Sequence, residues 1–256
     1  MQPVRLVKVR GQMCAHWASA QCVGARCTSE CERARLRRLG QGGADARARA
    51  RCGIRAATET ALQGLGVSHG IGAWAQDSKA YHAALYHASH HLDEVPADGG
   101  QLEIEIEAVR SVAASNCAFE LELDRVVATD GGVLFACWTI GRRTTAPAGS
   151  AGDGTSEPVA LRNELRAALP RSPIKQIAAQ PVMLHTTLAR VFEVPGGGAE
   201  ALAVAAEKLT ASLCGLRARI GELHVVYEHD KLALATGGRV TRTVLPMRDD
   251  CTSIAA

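Results

Sequence analysis

The sequence has few aromatics: Phe, Tyr and Trp make up 4% of it. That weighs against a single-stranded RNA platform, which depends on stacking bases on aromatic faces. It has no apolar run near the roughly 18 residues needed to cross a membrane, and no secretory signal. It lacks the Gly-Lys-(Ser/Thr) ending of a phosphate-cradling loop, although Gly66, Gly70 and Gly72 crowd one stretch. Cys22, Cys27, Cys31 and Cys52 lack paired Cys-x-x-Cys spacing, which argues against a zinc module. Cys117, Cys137 and Cys214 sit among apolar residues and are expected as buried free thiols in a reducing compartment.

The net charge of +3 conceals two unlike parts. Residues 1–60 carry 12 Arg/Lys and 4 Asp/Glu, a balance of +8, so the remainder carries 29 − 12 = 17 against 26 − 4 = 22, a balance of −5. Residues 1–60 are rich in Arg, Ala and Gly and read as a disordered extension or an organelle transit peptide. The rest is mildly acidic. It lacks the basic field that grips long nucleic acid, so a phosphate ester would be small and held by local contacts. No membrane partner is expected, and a monomer is. The compartment expected is the cytoplasm, or a plastid or mitochondrion if residues 1–60 are a transit peptide.

Against that background one stretch stands out, Pro181-Val-Met-Leu-His-Thr-Thr-Leu-Ala-Arg190. It reads as a buried strand. His185 and Thr187 are two apart, so their side chains leave the same face. A second His-x-(Ser/Thr), His87-Ala-Ser89, lies upstream. One such pair is expected by chance, since nine histidines and 27 Ser/Thr in 256 positions give about 9 × 27/256 ≈ 1. The residues downstream of each pair carry more weight. Leu102, Ile106, Val109 and Ala113 come after the first, and Leu202, Ala206, Leu209 and Leu213 after the second. Both step by 4, 3 and 4, the spacing of one helix face.

Each helix precedes a predicted hairpin: strands 119–128 and 133–138 around Asp130-Gly131-Gly132, then 220–228 and 232–235 around Asp230-Lys231. The second strands start 133 − 87 = 46 and 232 − 185 = 47 residues after their histidines. This reads as an internal duplication, with copies at about 81–140 and 156–245. Residues 142–155 form the linker, and Val159, Arg162, Leu165 and Leu169 mark the face of a helix that Pro170 ends. Residues 171–180 are a loop carrying Arg171 and Lys175, and the tail from 247 is expected to fray.

Two histidines facing one another could cleave a phosphodiester. One takes a proton from water and the other gives one to the leaving oxygen, while Ser89 and Thr187 donate to the non-bridging oxygens. No metal or other cofactor is needed. A competing reading builds a metal-dependent hydrolase on His82, His87, His90 and His91, with His87 and His91 on one helical face.

The stretches Gly-Val-Ser-His-Gly-Ile-Gly-Ala-Trp (66–74), Tyr-His-Ala-Ser-His-His (86–91), Gly-Val-Leu-Phe-Ala-Cys-Trp (132–138) and Leu-His-Thr-Thr-Leu-Ala-Arg (184–190) resemble the two-histidine (2H) phosphoesterases, the LigT-like cyclic phosphodiesterases and RNA-ligase-like proteins, in a plant-type branch. The resemblance covers residues 65–247. It implies a bilobed α+β fold, duplicated, with two antiparallel sheets facing a central cleft and helices packed outside. It implies hydrolysis of a cyclic phosphate: a 2′,3′-cyclic nucleotide, a cyclic-phosphate RNA end or an ADP-ribose cyclic phosphate. It carries the catalytic histidines over to His87 and His185, and the phosphate hydroxyls to Ser89 and Thr187. A module of the same fold that binds a nucleotide or RNA end without turnover is the alternative.

Overall fold

A computed structural model of the chain describes residues 4–12, 43–140, 157–176, 184–194, 198–230 and 233–249. The fold is α+β, built on one curled sheet. In chain order its elements are β1 (Val4–Gln12), α1 (Gly43–Gly64), β2 (Ser68–His69), β3 (Gly72–Ala75), β4 (Ala83–Ser89), α2 (Gly99–Ser115), β5 (Phe119–Ala128), β6 (Val133–Ile140), α3 (Glu157–Ala168), β7 (Leu184–Val191), α4 (Gly198–Ser212), β8 (Arg217–Glu228), α5 (Ala233–Thr236) and β9 (Val240–Pro246). The strands run β2-β3-β7-β6-β5-β8-β1-β4, with β9 on β8. All pairs are antiparallel except β2 with β3.

The strand–helix–hairpin unit occurs twice, as β4-α2-β5-β6 and β7-α4-β8-β9. The copies interlock. The histidine strand of the second, β7, pairs with β6 of the first, while β4 joins β8 through β1. The two expected sheets are joined where β5 meets β8, over Phe119–Glu122 and Arg217–Ile220. Helices α2 and α3 pack together, α2 against β8 and β9 and α3 against β4; α1 packs on α4, which covers β5. The predicted helix faces are the buried ones: Val109 and Ala113 of α2, and Leu202, Ala206 and Leu209 of α4. Asp98 caps α2 by accepting from the Gln101 N–H at 2.8 Å, which satisfies one of its orphan donors.

Four expectations change. Val4–Gln12 is a strand inside the sheet, next to its end, between β8 and β4, so this part of the basic segment belongs to the body. The composition of 60 residues hid the alternation of nine, Val-Arg-Leu-Val-Lys-Val-Arg-Gly-Gln. Residues 13–42 and the 142–155 linker lie outside the described residues. The strand expected at 232–235 is replaced by α5, and β9 begins 240 − 185 = 55 residues after His185. Alanine favours the helix, and Asp230 closes the loop by accepting from the backbone N–H and the guanidinium of Arg239. The tail is held as far as Arg248. The Met247 N–H donates to Gly221 and that of Arg248 to Asn116. Cys117 and Cys214 are disulfide-bonded, whereas Cys137 is a buried free thiol.

The turn between β5 and β6 depends on Gly132. Its φ is +78°, and a Cβ there would meet the Val191 carbonyl oxygen at 2.0 Å. Val191 N–H donates to the Gly132 carbonyl at 2.7 Å, so the turn is pressed against the end of β7. Gly132→Ala is expected to lower stability by about 2–3 kcal/mol, measured as a drop in the urea midpoint with m unchanged.

Candidate active site

The second motif lies on β7. His185 pairs with Cys137, Thr186 with Ala136 and Thr187 with Phe135, without a register shift among them. The period of two therefore holds, and His185 and Thr187 share a face. Both are half-buried. Thr186 points the other way with Leu184 and Leu188; all three are buried, and the Thr186 hydroxyl accepts from the Trp138 indole N–H at 3.0 Å. The Phe135 ring stands edge-on to His185, with centroids 4.7 Å apart. Burial first, and then the positive charge of Arg162, holds the His185 pKa below its ordinary 6.5. The imidazole is thus neutral at neutral pH and able to accept a proton.

The first motif is built differently. Along β4 the pairing with β1 goes Lys8 to Ala84, Val7 to Tyr86, Leu6 to His87 and Arg5 to Ser89. Two residues of β4, Leu85 and Ala88, are therefore extra, and each marks a bulge. The second bulge falls between His87 and Ser89 and breaks their alternation. Ser89 is 1% exposed, and its hydroxyl accepts from the Val95 N–H at 3.0 Å, which ties the return loop to the strand end. His87 is 8% exposed, its ring perpendicular to that of His90 at 5.8 Å. The structure keeps His185 with Thr187 and does not bring Ser89 alongside His87 in the same way.

The two motif strands lie directly against one another, and the segment between β6 and β7 packs along β4. Among the described residues no strand lies on the far edge of β4. Residues 162–176 fill that place. The Gln176 amide pairs with the His87 backbone as a strand would: Oε1 accepts from the His87 N–H at 2.7 Å and Nε2 donates to the His87 carbonyl at 3.1 Å. Arg162 Nε donates to the Leu85 carbonyl at 3.0 Å. Tyr86 shares a hydrogen bond with the Ser172 hydroxyl at 2.9 Å, and the Arg166 guanidinium stands 5.7 Å above its ring. These contacts satisfy backbone groups that would otherwise be exposed at an edge.

Arg162 is the residue that motif reading missed. It is half-buried, bonded to β4 and close enough for its charge to act on His185 of β7. Burial lowers its own pKa, and it stays a cation because a guanidinium titrates so far above neutrality. The signal was present: Arg162 lies in the stripe of Val159, Leu165 and Leu169, where a cation interrupts an apolar face.

The metal reading loses its geometry, because residues 83–89 are a strand and not a helix. His90 Nδ1 accepts from the N–H groups of Leu92 and Asp93, which makes Nε2 the donor to the Lys175 carbonyl at 3.1 Å. Among the described residues no group of three His, Cys, Asp or Glu is placed to hold a metal ion. A shallow pocket lies elsewhere, lined by Lys79, His82, His224, Val226, Leu234 and Arg242 among others. Its His224 is paired with Glu222 at 2.9 Å, and His82 Nδ1 with the Ala80 carbonyl at 2.7 Å. The candidate site is the His185–Thr187 face of β7, with β4 packed against that strand.

No protein-family model matches the chain, and no curated protein does. Several solved structures are similar in fold. LigT of E. coli complexed with ATP shares 15% identity at a TM-score of 0.38, over 95% of this chain and 96% of that one. TT0787 of Thermus thermophilus shares 16% at 0.47, over 96% and 99%. Usb1 of Kluyveromyces marxianus shares 12% at 0.41, over 95% and 98%. At these values the chemistry of this chain has to be read from its own side chains. Among the described residues no helix is long and apolar enough to cross a membrane.

Gln176→Leu removes both bonds to the His87 backbone and leaves two strand-edge groups without their partner. A loss of about 1–3 kcal/mol is expected, with faster hydrogen exchange at the His87 amide; unchanged exchange there would show that the clamp does not hold the strand.

Proposed function

We propose that the chain is a metal-independent phosphodiesterase that opens a cyclic phosphate, by acid–base catalysis shared between His185 and His87. The substrate classes are a 2′,3′-cyclic nucleotide, a cyclic-phosphate RNA end or an ADP-ribose cyclic phosphate. One observation carries the reading: His185 and Thr187 stand side by side on a regular stretch of β7, with the imidazole held neutral. A neutral imidazole is the base. It takes a proton from water as the water oxygen bonds to phosphorus. The bond from phosphorus to one ribose oxygen breaks, and protonated His87 gives that oxygen its proton. The product is a phosphomonoester, and a solvent proton exchange resets both rings. Thr187 donates to a non-bridging oxygen as charge grows there.

A second reading has its own support. His87 is nearly buried and Ser89 is engaged with Val95, so only one motif offers both groups to a ligand. A module that binds a nucleotide or RNA end without turnover needs no more than that.

The test is turnover of 2′,3′-cyclic AMP in the presence of chelator. His185→Ala and His87→Ala should each lower kcat by about 10²–10⁴-fold while the circular dichroism spectrum stays unchanged. Thr187→Ala should lose at most about 2.7–4 kcal/mol of transition-state stabilisation. Full activity in either histidine variant would end the two-histidine mechanism, and binding without turnover would favour the second reading. The pH dependence comes from the sign of the shift. The base must be unprotonated, and its pKa lies below 6.5, so the acid limb of kcat/KM should fall below pH 6.5.

A further inference from the structure

Among the described residues no hydrogen bond holds the His185 ring, although the proposed chemistry depends on where that ring points. A general base is ordinarily set in place by a third group that binds its other nitrogen. We propose that Phe135 takes that part by packing: its ring fixes the orientation of the His185 imidazole, which makes Phe135 the positioning residue of the site. This rests on the site assignment above and deepens it.

Three observations support the proposal. The first is register. Phe135 of β6 stands opposite Thr187 of β7 and Cys137 opposite His185, so all four side chains leave one face of the sheet. Phe135 and His185 are therefore diagonal neighbours across the two strands, a separation that an aromatic side chain spans. The second is contact. The ring centroids are 4.7 Å apart and the planes meet at 65°, an edge-to-face arrangement that favours one relative orientation of the two rings. The third is shielding. Burial is the first cause of the low His185 pKa, and the Phe135 ring covers part of the imidazole. The titratable groups of the surrounding elements are accounted for. Cys137 on β6 carries a thiol that burial pushes up and keeps neutral, Arg162 is a cation, and β4 brings His87. β3 has no titratable side chain, and Arg55 of α1 is bound to Glu59 and to the Ala75 and Gln76 carbonyls.

The test uses two variants of the full chain. Phe135→Leu keeps apolar bulk without the flat ring, and Phe135→Tyr keeps the ring. The readouts are carbon-13 relaxation of the His185 ring, its titration by NMR, and turnover of 2′,3′-cyclic AMP. In wild type the ring should be as rigid as the β7 backbone and titrate below its ordinary 6.5. In Phe135→Leu it should become mobile on the nanosecond timescale. Its kcat should fall about 10–100-fold while KM changes less than about twofold. Phe135→Tyr should keep both ring order and kcat. A side chain that only fills space would be replaced by leucine without either effect. Phe135→Leu with wild-type ring order would overturn the inference. So would a loosened ring with unchanged kcat, or Phe135→Tyr behaving as Phe135→Leu does. Should Phe135→Leu not fold, Phe135→Met carries the same test. Should wild type turn nothing over, ring order alone decides: loosening in Phe135→Leu would leave this inference standing and remove the proposed hydrolysis.

Discussion

The free edge of β4 has to be closed, and much of the site depends on how that is done. A strand edge presents N–H and C=O groups that need partners. Here the partners are side chains: the amide of Gln176 on His87 and the guanidinium of Arg162 on Leu85. Both come from the segment between β6 and β7. β7 packs directly against β4, so the closed edge belongs to a strand that touches the second histidine strand.

The two motifs differ because their strands differ. β7 lies inside the sheet, between β3 and β6, and its register across residues 185–187 is regular. β4 is an edge strand with two bulges. A regular central strand keeps its period and holds two groups on one face. A bulged edge strand can re-aim a side chain at one residue and lose the relation to the next. The same three-residue pattern therefore yields an imidazole–hydroxyl pair in one place and a buried hinge to the return loop in the other.

The sequence by itself determined the strand–helix–strand order that follows each histidine, the first hairpin with its Asp130–Gly132 turn, the buried faces of α2 and α4, and the shared face of His185 and Thr187. Each of these rests on local periodicity or turn chemistry, which neighbouring residues impose. Tertiary structure alone decided the rest. It put Val4–Gln12 between β8 and β4, a pairing with partners up to 224 residues away (228 − 4) that no local pattern encodes. It inserted the bulge that parts His87 from Ser89, since register is set between strands and not along one. It brought Arg162 to His185, because a helix lies where its apolar stripe can be buried, and whatever else that stripe carries goes with it.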